Sequence, residues 1–332
     1  MVDRNLISFR RRFVKDYNLP INVVDSPFFE YYMETYDWFP KKEYNELLAD
    51  IDNRFQGNLN LWLEEYAAIR DDIITTLENL DAYKDFNSRD MKEWEVPKEM
   101  RSFPDMNIYN QSSVGKTFIS IDLKKANFQA LRFVNPDIVL EAETYEEFID
   151  KFIGYESEYF RTSKYTRQVI FGKLNPKRTI TVEKFIMSKI YAFLMEDIMN
   201  ITSEYDAKLV AFKSDELIFE VNSENPAVGT QPLFDYWKAR IKEKFDIDVH
   251  IDLFKVGRIE TRNHNDVIVD CYIRTNLLTG EETLKSCSQI FYPQFYKIWK
   301  GREEDINSHD LVFLAEGQLA TFTYPLNLVG IY

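Results

Sequence analysis

From Lys208 to Val221 the chain reads KLVAFKSDELIFEV, an apolar run into an acidic pair and an apolar run out of it. Leu209, Val210, Ala211 and Phe212 predict one strand, and Leu217, Ile218, Phe219 and Val221 a second, joined by a tight turn carrying Ser214, Asp215 and Glu216. Thr117 to Phe133, TFISIDLKKANFQALRF, predicts a short strand over Phe118–Ile121 that ends on Asp122. A helix follows it, with Ala126, Ala130 and Phe133 on one face. Lys184 to Met199 predicts an apolar helix for the core and Trp237 to Phe245 another, while DVHIDLFKV, Asp248 to Val256, alternates as a strand. Further on, Asp266–Ile273 and Glu282–Ser286 flank Thr279-Gly280, a hairpin turn.

Ahead of these strands, residues 1–110 read as helical. Leu19-Pro20 interrupts the first segment, and Tyr44 to Ala82 carries an apolar stripe of Leu61, Leu63, Ala68, Ile69, Ile73 and Leu77. Pro97 and Pro104 mark an extended connector. Tyr292 to Trp299 is an aromatic segment that packs back on the sheet or faces a partner. The expected fold class is α+β, an antiparallel sheet with packed helices preceded by a mostly helical N-terminal region. The expected divisions are 1–110, 111–260 and 261–332.

Composition narrows the classes. With 332 residues, 45% of them apolar and 29% charged, the chain can bury a large core and is not of disordered composition. No apolar run reaches membrane-spanning length and the N-terminus lacks a signal-peptide core, so a cytoplasmic protein without a membrane partner is expected. Cys271 and Cys287 are then expected to stay reduced, and three histidines make a zinc site a poor expectation. A net charge of −14 argues against indiscriminate nucleic-acid binding. Any such site is a confined basic groove on an acidic body.

Asp122 at a strand end and Asp215 at a hairpin tip can meet across a sheet. Two aspartates on separate strands that bridge metals about 3.5–4 Å apart are the recurring core of polymerase chemistry. Each position also has a plainer reading: Asp122 as the cap of the next helix, Asp215-Glu216 as a polar turn. Between them, Arg161 to Val182 holds no acidic residue, while Arg161, Lys164, Arg167, Lys173, Lys177 and Arg178 supply six positive charges. Arg161, Lys164 and Arg167, at three-residue steps, would line one side of a helix and could grip a triphosphate, or form a solvated face.

Together these stretches resemble the palm of template-directed polymerases. DELIFEV, Asp215 to Val221, is similar to motif C of family A DNA polymerases, with Ser214 in place of its histidine. IDLKKANFQALR resembles motif A, ending in Leu131-Arg132, and also the reverse-transcriptase form of that motif. Ser-Asp-Glu at the hairpin bears a weaker similarity to tRNA-histidine guanylyltransferases. RTSKYTRQVIFG resembles the family A fingers helix, matching Phe171-Gly172 but with Asn175-Pro176 where a Tyr-Gly is usual.

The resemblance implies a palm over about residues 115–260 and nucleotide addition to a 3′-hydroxyl. Asp122 and Asp215 would be catalytic ligands of Mg²⁺ or Mn²⁺, and Glu216 an auxiliary ligand or primer-end positioner. Arg161, Lys164, Arg167 and Lys173 would bind the nucleoside triphosphate, Asn127 would lie near the sugar, and primer-template would occupy the basic groove. The helical N-terminal region would be a thumb or a cover. The alternative is a non-catalytic palm docked to replication or transcription proteins through its acidic surface and aromatic C-terminal part.

Overall fold

The computed structural model describes residues 4–155, 157–201, 207–222 and 230–332. Its N-terminal part is helical: α1 (Arg4–Asp16), α2 (Phe28–Thr35), α3 (Lys41–Phe55), α4 (Leu59–Asn79) and α5 (Asp81–Ser88). Asn58 starts α4, its side chain accepting the amides of Asn60 and Leu61. The buried positions of α4 are Trp62, Tyr66, Ile69, Ile73 and Leu77, spaced as one helical stripe. Leu61, expected on that stripe, is 46% exposed. The phase is set by the aromatics, because Trp62 packs edge-on against Phe9 and Tyr159.

The first strand, β1 (Thr117–Leu123), runs into α6 (Ala126–Val134), α7 (Tyr145–Asp150), α8 (Glu158–Thr162), α9 (Lys164–Lys173) and the long α10 (Pro176–Ile201). The expected hairpin follows as β2 (Ala207–Phe212) and β3 (Glu216–Val221), then α11 (Thr230–Phe245) and β4 (Val249–Arg262). The chain closes with β5 (Ile268–Asn276), β6 (Glu282–Lys285), α12 (Tyr292–Trp299), the small hairpin β7 (Val312–Ala315) and β8 (Gln318–Thr321), and β9 (Asn327–Ile331).

The main sheet is antiparallel in the order β2-β3-β1-β4-β5-β6, with β9 joined to the far half of β4. The fold is α+β with a helical N-terminal region. The expected boundary at 260/261 falls inside β4, and β5, β6 and β9 extend the same sheet. Gly257 admits this continuation: a Cβ there would lie 3.0 Å from the carbonyl oxygen of Tyr332. Helix α12 packs on the N-terminal region, Tyr296 against Tyr36 and Tyr292 against Trp38. Both cysteines are free thiols. No described helix is long and apolar enough to cross a membrane.

Sheet alternation divides β1 into two faces. Ile119, Ile121 and Leu123 join the main core. Phe118 belongs to a separate core cluster and stacks on Phe254 across the β1–β4 pair. Ser120 and Asp122 share the Phe118 face.

Candidate active site

Asp122 pairs across the sheet with Glu216 on β3 and with His250 on β4. Asp215 immediately precedes β3, and its carbonyl accepts the amide of Leu123 at 2.9 Å. That bond fastens the hairpin tip to the end of β1, so the two aspartates stand at one end of the sheet. Asp122 does not cap the next helix, whereas Asp215 does lie in the turn between β2 and β3. Lys125, in a left-handed conformation, occupies the cap position of α6 and supplies no side-chain cap; Asp122 is the sixth residue of β1. Gln129 secures the next strand, exchanging hydrogen bonds with the backbone of Asp248 just before β4.

Like charges crowd this end of the sheet. The carboxyl of Asp122 is pushed up to about 7, first by burial and then by Asp215 and Glu216, against the pull of His250 and Lys164. A fourth carboxyl joins Asp122, Asp215 and Glu216. Glu183 on α10 is 3% exposed and pushed up to about 7, by burial and then by Asp215 and Asp122. Asn127 donates its side-chain amide to Glu183 at 2.9 Å. The residue expected beside the sugar therefore has a carboxylate partner within the protein.

Glu183 was not singled out from the sequence, although two signals mark it. It is the residue that ends the acid-free run, and it shares a helical stripe with Ile186, Met187, Ile190 and Leu194, all buried. A carboxylate on such a face is costly unless something offsets it.

Glu216 is held more tightly than an open ligand would be. One of its oxygens accepts from Ser120 at 2.6 Å and the other pairs with Lys213 at 3.0 Å. Among the described residues no group of three or more histidine, cysteine, aspartate or glutamate side chains is arranged to hold an ion. Asp122 and Asp215 supply two carboxylates, the number with which Mg²⁺ is usually held beside water and phosphate oxygens. Burial raises Asp122 first and the neighbouring carboxylates next, and a divalent cation between Asp122 and Asp215 would offset the second of these.

The basic run does not form one helical row. It breaks at Ser163, between α8 and α9, because the buried Ser163 hydroxyl donates to Asp16 at 2.7 Å and accepts the amide of Thr166 at 3.0 Å. Arg161 lies before the break and makes a two-pronged contact with Asp150, both distances 2.9 Å. Arg167 lies over the ring of Tyr145 at 5.3 Å. Arg178 donates to the carbonyls of Phe86 and Arg89 and so fastens α10 to the end of α5. Lys164 and Lys173 are exposed at the two ends of α9. Of the four expected phosphate ligands, Lys164 is the one whose charge acts on Asp122.

Further cations come from the C-terminal strands. Arg274 on β5 bonds Asp252 at 2.8 Å and covers the Phe254 ring at 3.9 Å. Asp252 also pairs with His250 at 2.9 Å and accepts from Asn276 at 3.2 Å. Lys285, the last residue of β6, stands on the same face as Arg274. Comparison of the chain with protein-family models, curated proteins and solved structures finds no match.

Proposed function

We propose that this chain is a nucleotidyltransferase, adding a nucleoside triphosphate to the 3′-hydroxyl of a primer paired with a template. The observation that supports this best is the meeting of Asp122 and Asp215 at one end of an antiparallel sheet. They come from the two stretches that resemble the polymerase motifs A and C. In the reaction the hydroxyl oxygen bonds to the α-phosphorus, the bond to the bridging oxygen breaks, and pyrophosphate leaves.

Asp122 and Asp215 would hold Mg²⁺ or Mn²⁺, which lowers the pKa of the attacking hydroxyl and neutralises charge on the phosphates. The protein side of the chemistry is positioning and electrostatics. Ser120 and Lys213 fix Glu216, and Glu216 in turn fixes the end of β1 that carries Asp122. Lys164 offers a point charge to a phosphate. This reading places the protein in the cytoplasm, with primer-template in a confined groove.

One observation favours a second reading, a non-catalytic subunit that docks to replication or transcription proteins. The last strand, β9, exposes Leu328, Val329 and Ile331, with Tyr332 beside them. A primer-extension panel separates the two, using DNA and RNA templates, both nucleotide sugars, and Mg²⁺ or Mn²⁺. Extension by wild type and none by Asp215→Asn supports the transferase. Equal inactivity of two folded proteins across the panel supports the docking subunit.

A further inference from the structure

Two cavities adjoin at the β5–β6 hairpin. The smaller, of about 250 Å³, is lined by His250, Asp252, Arg274, Asn276, Glu281, Thr283 and Lys285. The larger, of about 1010 Å³, lies between the N-terminal region and the hairpin and includes Tyr17, Trp38, Tyr292 and Trp299 in its wall. Glu281, Thr283 and Lys285 border both. The small cavity reaches the acidic site through His250, the residue paired with Asp122.

The cations of the small cavity are not equivalent. Arg274 is committed to Asp252 and the Phe254 ring, and Asp252 is itself bonded by His250, Arg274 and Asn276. Lys285 is half-buried, and its ammonium makes no hydrogen bond or ion pair among the described residues. Lys164, exposed at the start of α9, has no such partner there either. Burial, with the charges of Arg274 and Lys164, pulls the Lys285 ammonium below its ordinary range, against Glu216 and Asp252. An incompletely compensated cation in a polar recess calls for an anion.

Size restricts which anion. A recess of about 250 Å³ is smaller than the roughly 300–1,000 Å³ of pockets that take whole drug-sized ligands. It suits a phosphate group or a short phosphate chain, with the rest of the ligand in the aromatic-walled cavity alongside. We propose that Lys285 forms a phosphate-binding site in this recess for the polyphosphate of a nucleotide. The nucleotide as ligand rests on the transferase reading; the anion site rests on the recess and its unpaired Lys285. It also gives the C-terminal strands a part in the chemistry, which neither resembled motif contains.

The test is calorimetric titration of the full chain with pyrophosphate and with ATP in EDTA, comparing wild type with Lys285→Gln, Lys285→Arg, Asp215→Asn and, as a surface control, Lys42→Gln. Lys285→Gln should weaken pyrophosphate binding about tenfold, as expected for loss of one charge-assisted contact. Lys285→Arg and Lys42→Gln should stay within about twofold of wild type, and Asp215→Asn should bind at least as well as wild type. In unmutated protein, pyrophosphate should protect Lys285 from amine acylation as read by peptide mass mapping, a measurement independent of any variant's folding. Unchanged binding by Lys285→Gln, or no protection of Lys285, overturns the site. Loss in Lys285→Gln together with no extension by wild type in the primer panel would leave the phosphate site standing and remove the transferase reading instead.

Discussion

Asn127 and Glu183 join the helix after the first aspartate to the helix before the acidic hairpin, through a 2.9 Å hydrogen bond. The bond lies beside the two aspartates and supports one of four crowded carboxyls. Asn127→Ala should therefore act on stability before it acts on any substrate. Loss of the donor leaves a buried carboxyl without it, at a cost of about 1–3 kcal/mol. Urea unfolding at pH 8 checks this; a variant as stable as wild type would mean that the bond is idle.

The pH dependence of Glu183 has a definite sign. Burial, then Asp215 and Asp122, raise its carboxyl from 4.5 to about 7 in the folded chain. The folded state then holds the proton more tightly than the unfolded state. The associated stability is complete below about 4.5 and is lost as pH rises through about 7. Glu183→Gln removes that loss and keeps an oxygen for Asn127. In EDTA, the variant's stability relative to wild type should grow by on the order of 1–3 kcal/mol between pH 4.5 and 8. A difference that stays flat with pH would refute the assignment.

Much of the frame was legible in the sequence. The hairpin of β2 and β3, the strand ending near Asp122, the helix after it and the helical N-terminal region all follow from apolar periodicity, which reflects burial directly. Three features were not legible, for physical reasons. Periodicity cannot show that Ser163 will turn its hydroxyl to Asp16, so Arg161, Lys164 and Arg167 looked like one row. Glu183 was hidden because a carboxylate on an apolar helix face becomes notable only when Asp122 and Asp215 are brought near it. Lys285 ends the second strand of a hairpin with no motif, and its place depends on the pairing of β5 with β4 and β6.

The charges on either side of the Ser163 break should separate stability from binding. Arg161→Ala removes the two-pronged contact with Asp150 and should cost about 1 kcal/mol, since both groups are partly exposed. Lys164→Ala should change stability by less than about 0.5 kcal/mol, yet weaken nucleotide binding. Melting curves and an ATP titration of both variants check the contrast. Equal effects of the two substitutions on binding would mean that Lys164 has no special part in it.

Asp16 ends α1 and is 1% exposed, bonded by the hydroxyls of Tyr66, Tyr159 and Ser163. These contacts gather α4, α8 and the start of α9 around one carboxylate. With Thr166 at 3.4 Å, Asp16→Ala deprives four buried hydroxyls of their common acceptor and should cost about 3 kcal/mol or more. Amide exchange should then quicken first in the opening turn of α9, beside Lys164. Exchange that quickens uniformly along the chain, with α9 no different, would show that Asp16 serves overall stability and does not hold that turn.

The last prediction turns on a reversal of order between wild type and Asp122→Asn. Asp122 is raised from 3.8 to about 7 by burial first and by Asp215 and Glu216 next. Its contribution to stability is therefore complete below about 3.8 and lost as pH rises through about 7. In EDTA at pH 8 the neutral, nearly isosteric Asn relieves the crowding, and the variant should melt at or above wild type. A divalent cation changes the balance, because it binds the folded wild type through the charge that Asn lacks. At a Mg²⁺ concentration about a hundredfold above Kd, linkage gives roughly 2.7 kcal/mol, or a few degrees for a chain of this length. Wild type should gain those degrees, and Asp122→Asn and Asp215→Asn should gain little. Melting curves with EDTA, Mg²⁺ and Mn²⁺ read both halves. Equal metal-induced shifts in all three proteins would place the ion elsewhere and end the case for the aspartate pair as its ligands.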